Sequence, residues 1–176
     1  TLVRENIGWM IGTAQRIVSE RSQAEDIVQA AFINIFAGLD TFRGDSSLRH
    51  WMRRVVVNQS LTSLRAQKRL GEVPIDDLMP TFDANECRIE DVWHMKETPE
   101  TLLASTQVSQ TVLNGINQLP DIYRVILLLR DIEEFTTSEV AQTLDLSETN
   151  VKVRLHRARS ALKKLLEPLF KSEFAK

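Results

Sequence analysis

The C-terminal part of the sequence contains a helical repeat whose outer side chains suit contact with DNA. Between residues 147 and 165, Val151, Leu155, Ala158 and Leu162 recur at the spacing of one helix face. The remaining positions carry hydroxyl, amide, imidazole and cationic groups, which on a helix can bond base edges in the major groove or phosphates beside it. These outer positions are Glu148, Thr149, Asn150, Lys152, Val153, His156, Arg157 and Arg159.

A second short helix is predicted directly before this basic one. Residues 136–139 read Thr-Thr-Ser-Glu, a capping-box pattern that opens a helix with Val140, Ala141 and Leu144 inward. Asp145-Leu-Ser147 makes a tight turn, and Ser147 caps the basic helix. Two helices joined in this way form the pattern of a helix-turn-helix. A helical hairpin without a DNA-binding role has the same spacing, so both interpretations remain open.

The formal net charge of −2 conceals two basic blocks. Residues 43–69 contain seven Lys or Arg against Asp45, and residues 147–171 contain seven against two Glu. Residues 72–100 between them carry nine acids against Arg88 and Lys96. This distribution predicts two separate contact surfaces rather than one uniformly charged body. The alternative is that the basic helices are ordinary solvated faces.

The remaining periodicity predicts an all-α protein of two small helical domains joined by a linker. In the first domain, residues 1–70, helices are expected over 4–20, 22–39 and 48–69, with Ser22 and Glu25 as a capping box. The turn between the last two contains Gly44, and Asp45, Ser46 or Ser47 caps the helix after it. In the C-terminal domain, residues 105–176, helices are expected near 108–119 and 121–131 ahead of the helix-turn-helix.

Residues 71–104 lose this periodicity and are predicted to be an acidic linker. Part of it should nevertheless lie against a domain or a partner, because it has too many apolar residues for a solvated tether. The residues concerned are Ile75, Leu78, Met79, Phe82, Ile89, Val92 and Trp93.

Neither catalysis nor a bound cofactor is indicated. His50, His94 and His156 are scattered without metal-ligand spacing, and no Gly-rich phosphate loop is present. The single Cys87 excludes an internal disulfide and reads as an incidental thiol. We therefore expect no enzyme activity, metal, cofactor or small-molecule substrate. The longest apolar run, residues 125–129, is too short to span a bilayer, and no signal-peptide pattern is seen, so a cytoplasmic protein is expected.

Motifs in both halves resemble one protein family. Leu119-Pro-Asp-Ile-Tyr-Arg124, Ser138-Glu-Val-Ala141 and Asn150-Val-Lys-Val-Arg-Leu-His-Arg-Ala-Arg159 resemble the C-terminal domain of extracytoplasmic-function (ECF) sigma factors of bacterial RNA polymerase. Ala24-Glu-Asp-Ile-Val-Gln-Ala-Ala-Phe32 resembles that group's core-polymerase-binding helix. Phe42-Arg-Gly-Asp-Ser46, followed by Trp51 and Asn58, resembles its promoter-melting region. The motifs stand in the family's order on either side of the linker.

The resemblance implies a role for each half. The first domain would bind the melted minus-ten element, with Phe42 and Asn58 at the pocket for an everted base and Arg43, Arg49, Arg53 and Arg54 on the backbone. Phe42 could instead be ordinary turn packing, Asn58 could bond a neighbouring carbonyl, and Trp51, Met52 and Val55 are expected in the core. The second domain would bind the duplex minus-thirty-five element through Thr149, Asn150, Lys152, Val153, His156 and Arg157, with Arg154, Arg159 and Lys163 mainly packing or meeting phosphate.

The resemblance also implies protein partners. Asp26, Gln29 and Phe32 would meet the β′ clamp helices of core polymerase, and the second domain would meet the β flap. A cognate anti-sigma factor, which could be anchored in the membrane, would hold the protein inactive. One departure is that the segment 133–137 lacks the family's usual Gly before its helix.

Two other functions remain as alternatives. A stand-alone helix-turn-helix repressor or activator would bind duplex DNA as a dimer, and a protein-interaction module would use the helical hairpin as a scaffold. The second leaves both basic blocks unexplained.

Overall fold

A computed structural model describes residues 2–67, 75, 78–79 and 106–173. The chain divides into two compact units, Thr1–Gly71 and Glu72–Lys176. The described residues form helices and connecting turns, with no strand among them. The predicted all-α, two-domain fold class is therefore confirmed. Most of the predicted linker, including Cys87 and His94, lies outside the described residues, as do Lys68 and Arg69.

The first unit is a three-helix arrangement in which each helix packs against the other two. Helix α1 spans Leu2–Val18, α2 spans Arg21–Gly38, and α3 spans Leu48–Gln67. A 3-10 turn, Leu39–Thr41, follows α2. The core contains the fully buried side chains Met10, Ile17, Ile35, Met52 and Leu61.

At the helix starts of this unit, one predicted cap is wrong, and one of three candidate caps is identified as the one used. The capping box at Ser22 and Glu25 is wrong, because α2 already begins at Arg21. Ser22 Oγ instead donates to Glu20 Oε1 at 2.7 Å, and Glu25 accepts from Arg21 Nε at 3.0 Å. Of the three candidate caps for α3, Ser47 is the one used: its Oγ accepts from the His50 N–H at 3.2 Å.

The second unit places three helices around the C-terminal one. Helix α4 spans Thr106–Asn117, α5 spans Asp121–Leu127, α6 spans Thr137–Leu144, and α7 spans Glu148–Glu173. Helices α4, α5 and α6 all pack against α7. The last turn of the predicted helix 121–131 is a π-helical turn, Leu128–Ile132, and α7 runs beyond the predicted 165 through Pro168.

Both caps predicted for the helix-turn-helix are confirmed. Thr136 Oγ1 accepts from the Glu139 N–H at 3.2 Å, while Glu139 Oε2 accepts from the Thr136 N–H at 2.8 Å. Ser147 Oγ accepts from the Asn150 N–H at 3.2 Å. These bonds satisfy backbone donors that a helix start leaves without a partner.

Part of the predicted linker packs on the second unit, as expected. Ile75 is 1% exposed, and the Met79 carbonyl accepts a 2.8 Å hydrogen bond from Lys164 Nζ on α7. Leu78 and Met79 are half-buried. The described residues of this stretch are therefore held by burial of the Ile75 side chain and by the hydrogen bond between Met79 and α7.

Replacing Ile75 with Ala should destabilise the second unit by about 2–4 kcal/mol, because a fully buried Ile leaves a cavity as well as losing its transfer energy. Hydrogen exchange of the α7 backbone amides in the full chain measures this loss. Leu78→Ala is the matched control and should cost less, since Leu78 is only half-buried. Equal exchange in the Ile75→Ala variant and the parent chain would contradict the anchoring of this segment.

Candidate nucleic-acid interface

The six residues predicted to read duplex DNA lie together on the outer face of α7. Thr149, Asn150, Lys152, Val153, His156 and Arg157 are all exposed. At about 100° per residue they span an arc of roughly 160° over the first turns of the helix. Val151 and Ala158 on the opposite face are fully buried, and Leu155 is 8% exposed. The face thus offers a hydroxyl, an amide, an imidazole and two cations around Val153, which is 47% exposed.

The turn before α7 fixes how this face is presented. Asp145 has φ 56° and ψ 49°, the left-handed conformation that ends α6. The Leu146 N–H donates to the Ala141 carbonyl at 2.9 Å. Together with the Ser147 cap, this bond sets the angle at which α7 leaves α6, because both ends of the turn are held by backbone donors.

Glu134 lies in the segment 133–137, where the resemblance leads us to expect a glycine, and it adopts a backbone conformation that favours glycine. Its φ is 60°, in the region that favours Gly. The following Phe135 is 1% exposed, and its N–H donates to the Leu129 carbonyl at 2.9 Å. Arg130 Nη1 also donates to the Phe135 carbonyl. The burial of Phe135 and its two backbone hydrogen bonds therefore hold Glu134 in a left-handed conformation, which is unfavourable for a residue with a Cβ atom.

Arg159, which sequence reasoning assigned to packing or phosphate contact, is bound within the second unit. Its guanidinium donates to both Asp131 oxygens, at 2.6 and 2.9 Å. The hydrogen bond to Asp131 raises the pKa of Arg159, so the guanidinium keeps its charge at any ordinary pH. This ion pair joins α7 to the π-helical turn and leaves the cation partly neutralised.

An apolar groove of about 490 Å³ lies beside this ion pair. It is formed by α4, α5 with its π-helical turn, and α7, all within the second unit. Leu162, predicted to face inward, is half-buried and forms part of the wall. The apolar side chains lining the groove are Val112, Ile116, Leu127, Ile132, Leu162 and Leu166.

In the first unit, Phe42 packs against Trp51 at the start of α3. The ring centroids are 5.4 Å apart and the planes are tilted by 47°. Gly38, at the end of α2, lies close beneath: a Cβ there would be 3.2 Å from Trp51 Cζ2. Phe42 and Trp51 are half-buried, as is Val55, while Met52 is in the core as expected. The pair forms an aromatic wall at one edge of α3.

The other residues predicted to meet the minus-ten element divide into two groups. Arg54 and Asn58 are exposed and lie one turn apart on the outward face of α3, and Arg43 is exposed in the preceding turn. Arg49 and Arg53 instead lie over the Trp9 ring of α1, with their Cζ atoms 5.1 and 5.7 Å from its centroid. Sequence reasoning missed Trp9, because no local spacing links it to residues 40 and 44 positions later.

The candidate polymerase-binding face of α2 includes two residues that sequence reasoning omitted. Asp26 and Gln29 are exposed, but Phe32 is only 8% exposed and packs partly in the core. Ile33 and Phe36 are 70% and 52% exposed, large fractions for apolar side chains. Phe36 stacks on Phe32 with a centroid distance of 6.2 Å. Positions 26, 29, 33 and 36 recur at helical spacing and so lie on one face of α2, and this spacing is the signal that could have identified Ile33 and Phe36.

The described residues contain no group of three His, Cys, Asp or Glu placed to hold a metal ion. None of the helices described is long and apolar enough to cross a membrane.

Both halves of the chain match models of one family. The model described as sigma-70 region 2 matches residues 2–70, and the one described as sigma-70 region 4 matches residues 109–162. The RNA polymerase sigma-H factor of Pseudomonas aeruginosa is 31% identical over 92% of this chain and 82% of its own length. The ECF RNA polymerase sigma-E factor of Escherichia coli strain K12 is 35% identical over 83% of this chain and 75% of its own. The chain belongs to the ECF sigma factor family.

Solved structures show the same fold at lower sequence identity. The sigma factor RpoE from Bartonella quintana, solved with the anti-sigma factor NepR, superposes with a TM-score of 0.62 at 21% identity, over 94% of each chain. CnrH, solved with the cytosolic domain of CnrY, gives a TM-score of 0.55 at 21% identity, over 95% of this chain and 86% of its own.

As a sigma factor, the protein is a transcription initiation factor that directs RNA polymerase to promoters, and it is not an enzyme. Membership in this family favours that function over the stand-alone repressor and the interaction module.

Replacing Glu134 with Gly should stabilise this sigma factor by about 0.5–1 kcal/mol, because Gly adopts a positive φ without the Cβ penalty. Glu134→Ala is the matched control: it also removes the charge but keeps the Cβ, so it should give no such gain. Urea denaturation of both variants and the parent measures the free energy of unfolding. An equal gain from Ala and Gly would show that charge, not backbone conformation, is responsible.

Proposed function

We propose that this ECF sigma factor reads a two-part promoter with two separate surfaces. Residues 1–70 form the unit that binds core polymerase and the melted minus-ten element, and residues 105–176 form the unit that binds the minus-thirty-five duplex. Residues 71–104 connect them. The observation that carries the proposal is that each unit exposes one polar and cationic helix face, on α3 and on α7, while the opposite face of each helix is buried.

The α3 surface suits a single strand with one base turned out. Phe42, against Trp51, supplies an apolar wall, and Asn58 supplies an amide that can accept and donate hydrogen bonds to a base edge. Arg43 and Arg54 are exposed near them and hold the backbone. Capturing the base only after it leaves the stack places binding energy on melted DNA, which promotes opening without a covalent step.

The α7 surface suits the major groove of a duplex. Its N-terminal turn points backbone N–H groups toward a phosphate, and Asn150, Lys152 and Arg157 reach base edges or the backbone. Val153 offers apolar contact to a thymine methyl group. Thr149 and His156 complete the face that chooses among sequences.

Core polymerase binds two other surfaces in this proposal. Asp26, Gln29, Ile33 and Phe36 on α2 meet the β′ clamp helices, with Phe32 supporting Phe36 from beneath. The apolar groove of the second unit receives the β flap, because six of its ten lining residues are aliphatic. Exposed apolar side chains of this size are commonly covered by a partner.

A cognate anti-sigma factor regulates the protein in this proposal. The two solved relatives, RpoE and CnrH, were each solved with a protein partner, described for RpoE as an anti-sigma factor. We propose that such a partner covers the polymerase-binding surfaces of this chain in the cytoplasm, and that membrane anchoring of the partner would hold the chain at the inner membrane face.

Run-off transcription with purified core polymerase tests the proposed function. The parent chain should produce a promoter-dependent transcript, and Asn58→Ala should reduce it about tenfold, the effect of losing a base-directed hydrogen bond of roughly 1.4 kcal/mol. Asn117→Ala, the same change at an exposed position on α4, is the control and should transcribe like the parent.

Binding of each variant to core polymerase accompanies the assay. If no promoter gives a transcript with the parent chain, the proposed function is wrong. If Asn58→Ala transcribes like Asn117→Ala, the assignment of the base pocket is wrong while the function stands.

Two arginines two positions apart on α7 provide a second test. Arg157→Gln should weaken holoenzyme binding to a minus-thirty-five duplex by about tenfold, since a good bidentate base contact contributes roughly 1–3 kcal/mol. Arg159→Gln should change binding by no more than about twofold, because Asp131 already occupies that guanidinium. Equal losses from the two substitutions would contradict the assignment of the reading face. Fluorescence anisotropy with labelled promoter DNA measures both.

A further inference from the structure

Helix α4 packs against α7 through a residue without a side chain, Gly115. This residue is buried, and a Cβ atom at its position would lie 3.0 Å from Leu166 Cδ2 and 3.1 Å from Leu162 Cδ1. Both distances are shorter than the separation at which two carbon atoms attract each other best. Val108, two turns earlier on α4, is also buried and packs with Val112 and Leu166. The two helices therefore meet with no room for a side chain at Gly115.

Neither helix propensity nor backbone conformation accounts for glycine at this position. Within a helix, glycine is less favourable than alanine, because it loses more conformational freedom on folding. The φ of Gly115 is not positive, so its backbone conformation is open to other residues. A residue that departs from local preference in this way points to a requirement of packing or function. The close approach to Leu162 and Leu166 is such a requirement.

The two leucines that approach Gly115 also form part of the wall of the apolar groove. Leu162 and Leu166 lie one turn apart on α7, and Val112 and Ile116, on either side of Gly115 in α4, line the same groove. A Cβ atom at Gly115 would displace the ends of both leucine side chains. The open space that they border is the groove of about 490 Å³, whereas the interior of a protein is closely packed. A methyl group at this position would therefore narrow the groove and leave the core in place.

The composition of the groove suits an uncharged aliphatic segment of a partner. Six of its ten lining residues are aliphatic. The other four are two carboxylates and two cations, Asp131, Glu167, Arg159 and Lys163. Their formal charges balance, and Asp131 and Arg159 already pair with each other at 2.6 Å. The groove therefore offers no excess charge to a charged segment, while aliphatic side chains gain free energy by leaving water to enter it.

We propose that Gly115 is a specificity-determining residue for core polymerase. Because it carries no side chain, Leu162 and Leu166 can lie against α4, and the groove stays wide enough for an aliphatic segment of the β flap. The inference rests on the proposed function, which assigns the flap to this groove, and adds to it the residue that sets the width of the groove. Gly115 is buried and acts on the flap through the two leucines.

Binding of the full chain to core polymerase tests this role. Gly115→Ala should weaken binding about fourfold, because the added methyl group displaces roughly one methylene of apolar contact between the groove and the flap. Its melting temperature should change little, since the better helix propensity of alanine opposes the tighter packing. Gly8→Ala is the matched control: a Cβ atom at this exposed position of α1 has nothing within 4 Å, so binding should equal that of the parent.

Two further comparisons separate the width of the groove from folding. Gly115→Ala combined with Leu166→Val moves one methylene from α7 to α4 at nearly constant volume, so it should recover most of the lost affinity. Core polymerase without the tip of its β flap should bind the parent chain more weakly. Gly115→Ala should then cost no further affinity, because the segment that enters the groove is absent. Fluorescence anisotropy of the labelled chain measures each affinity.

Three results would overturn the inference. Gly115→Ala could bind core polymerase as tightly as Gly8→Ala does. Its loss of affinity could persist in full with the enzyme that lacks the flap tip, which would assign the groove to another partner. The exchange with Leu166→Val could fail to restore binding or stability, and this variant decides if Gly115→Ala alone melts early. If the parent chain binds core polymerase and gives a promoter-dependent transcript alongside any of these results, the proposed function stands and only the role of Gly115 falls.

Discussion

The apolar stripe of α7 is the constraint on which the DNA-facing surface depends. Val151, Ala158 and Ala161 are fully buried against the rest of the second unit. Turning α7 by one residue about its axis would bury a cation or an amide and expose this stripe, at a cost of several kcal/mol for the apolar side chains alone. Packing therefore selects which side chains face outward. The same logic holds in α3, where burial of Met52, Val56 and Leu61 leaves Arg54 and Asn58 on the surface.

Local sequence signals were sufficient for the features that local physics controls. The caps at Thr136 and Ser147 require only side chains within three residues of the bonds they form. The outward face of α7 follows from its periodicity for the same reason. Ser22 shows the limit of such signals: its pattern fits a capping box, but α2 begins one residue earlier, so Ser22 cannot be the N-cap.

Contacts between residues that are far apart in the sequence could not be predicted from local signals. The π-helical turn at Leu128–Ile132 brings Asp131 to Arg159, 28 positions later, and nothing in either segment alone signals the pair. Sequence reasoning assigned Arg159 to packing or phosphate contact, whereas the structure gives its charge a carboxylate partner. Likewise, the spacing of Arg49 and Arg53 gives no indication that Trp9 of α1 holds them. Three-dimensional contacts thus decide which arginines of a basic block are available to DNA.

The difference between arginines that are paired within the protein and arginines that are available to DNA explains how a chain with a net charge of −2 can bind a polyanion. Charges separated by more than about 8 Å are largely screened at physiological ionic strength, so a phosphate responds to its neighbours rather than to the whole chain. A nearby cation attracts a phosphate more strongly when no carboxylate already compensates its charge. Arg159 is compensated by Asp131, whereas the indole face of Trp9 offers the exposed Arg49 a quadrupole rather than an opposite charge. Stacking on an aromatic ring therefore restricts an arginine side chain without compensating its charge, which stays available to a ligand. An ion pair restricts the side chain and compensates the charge.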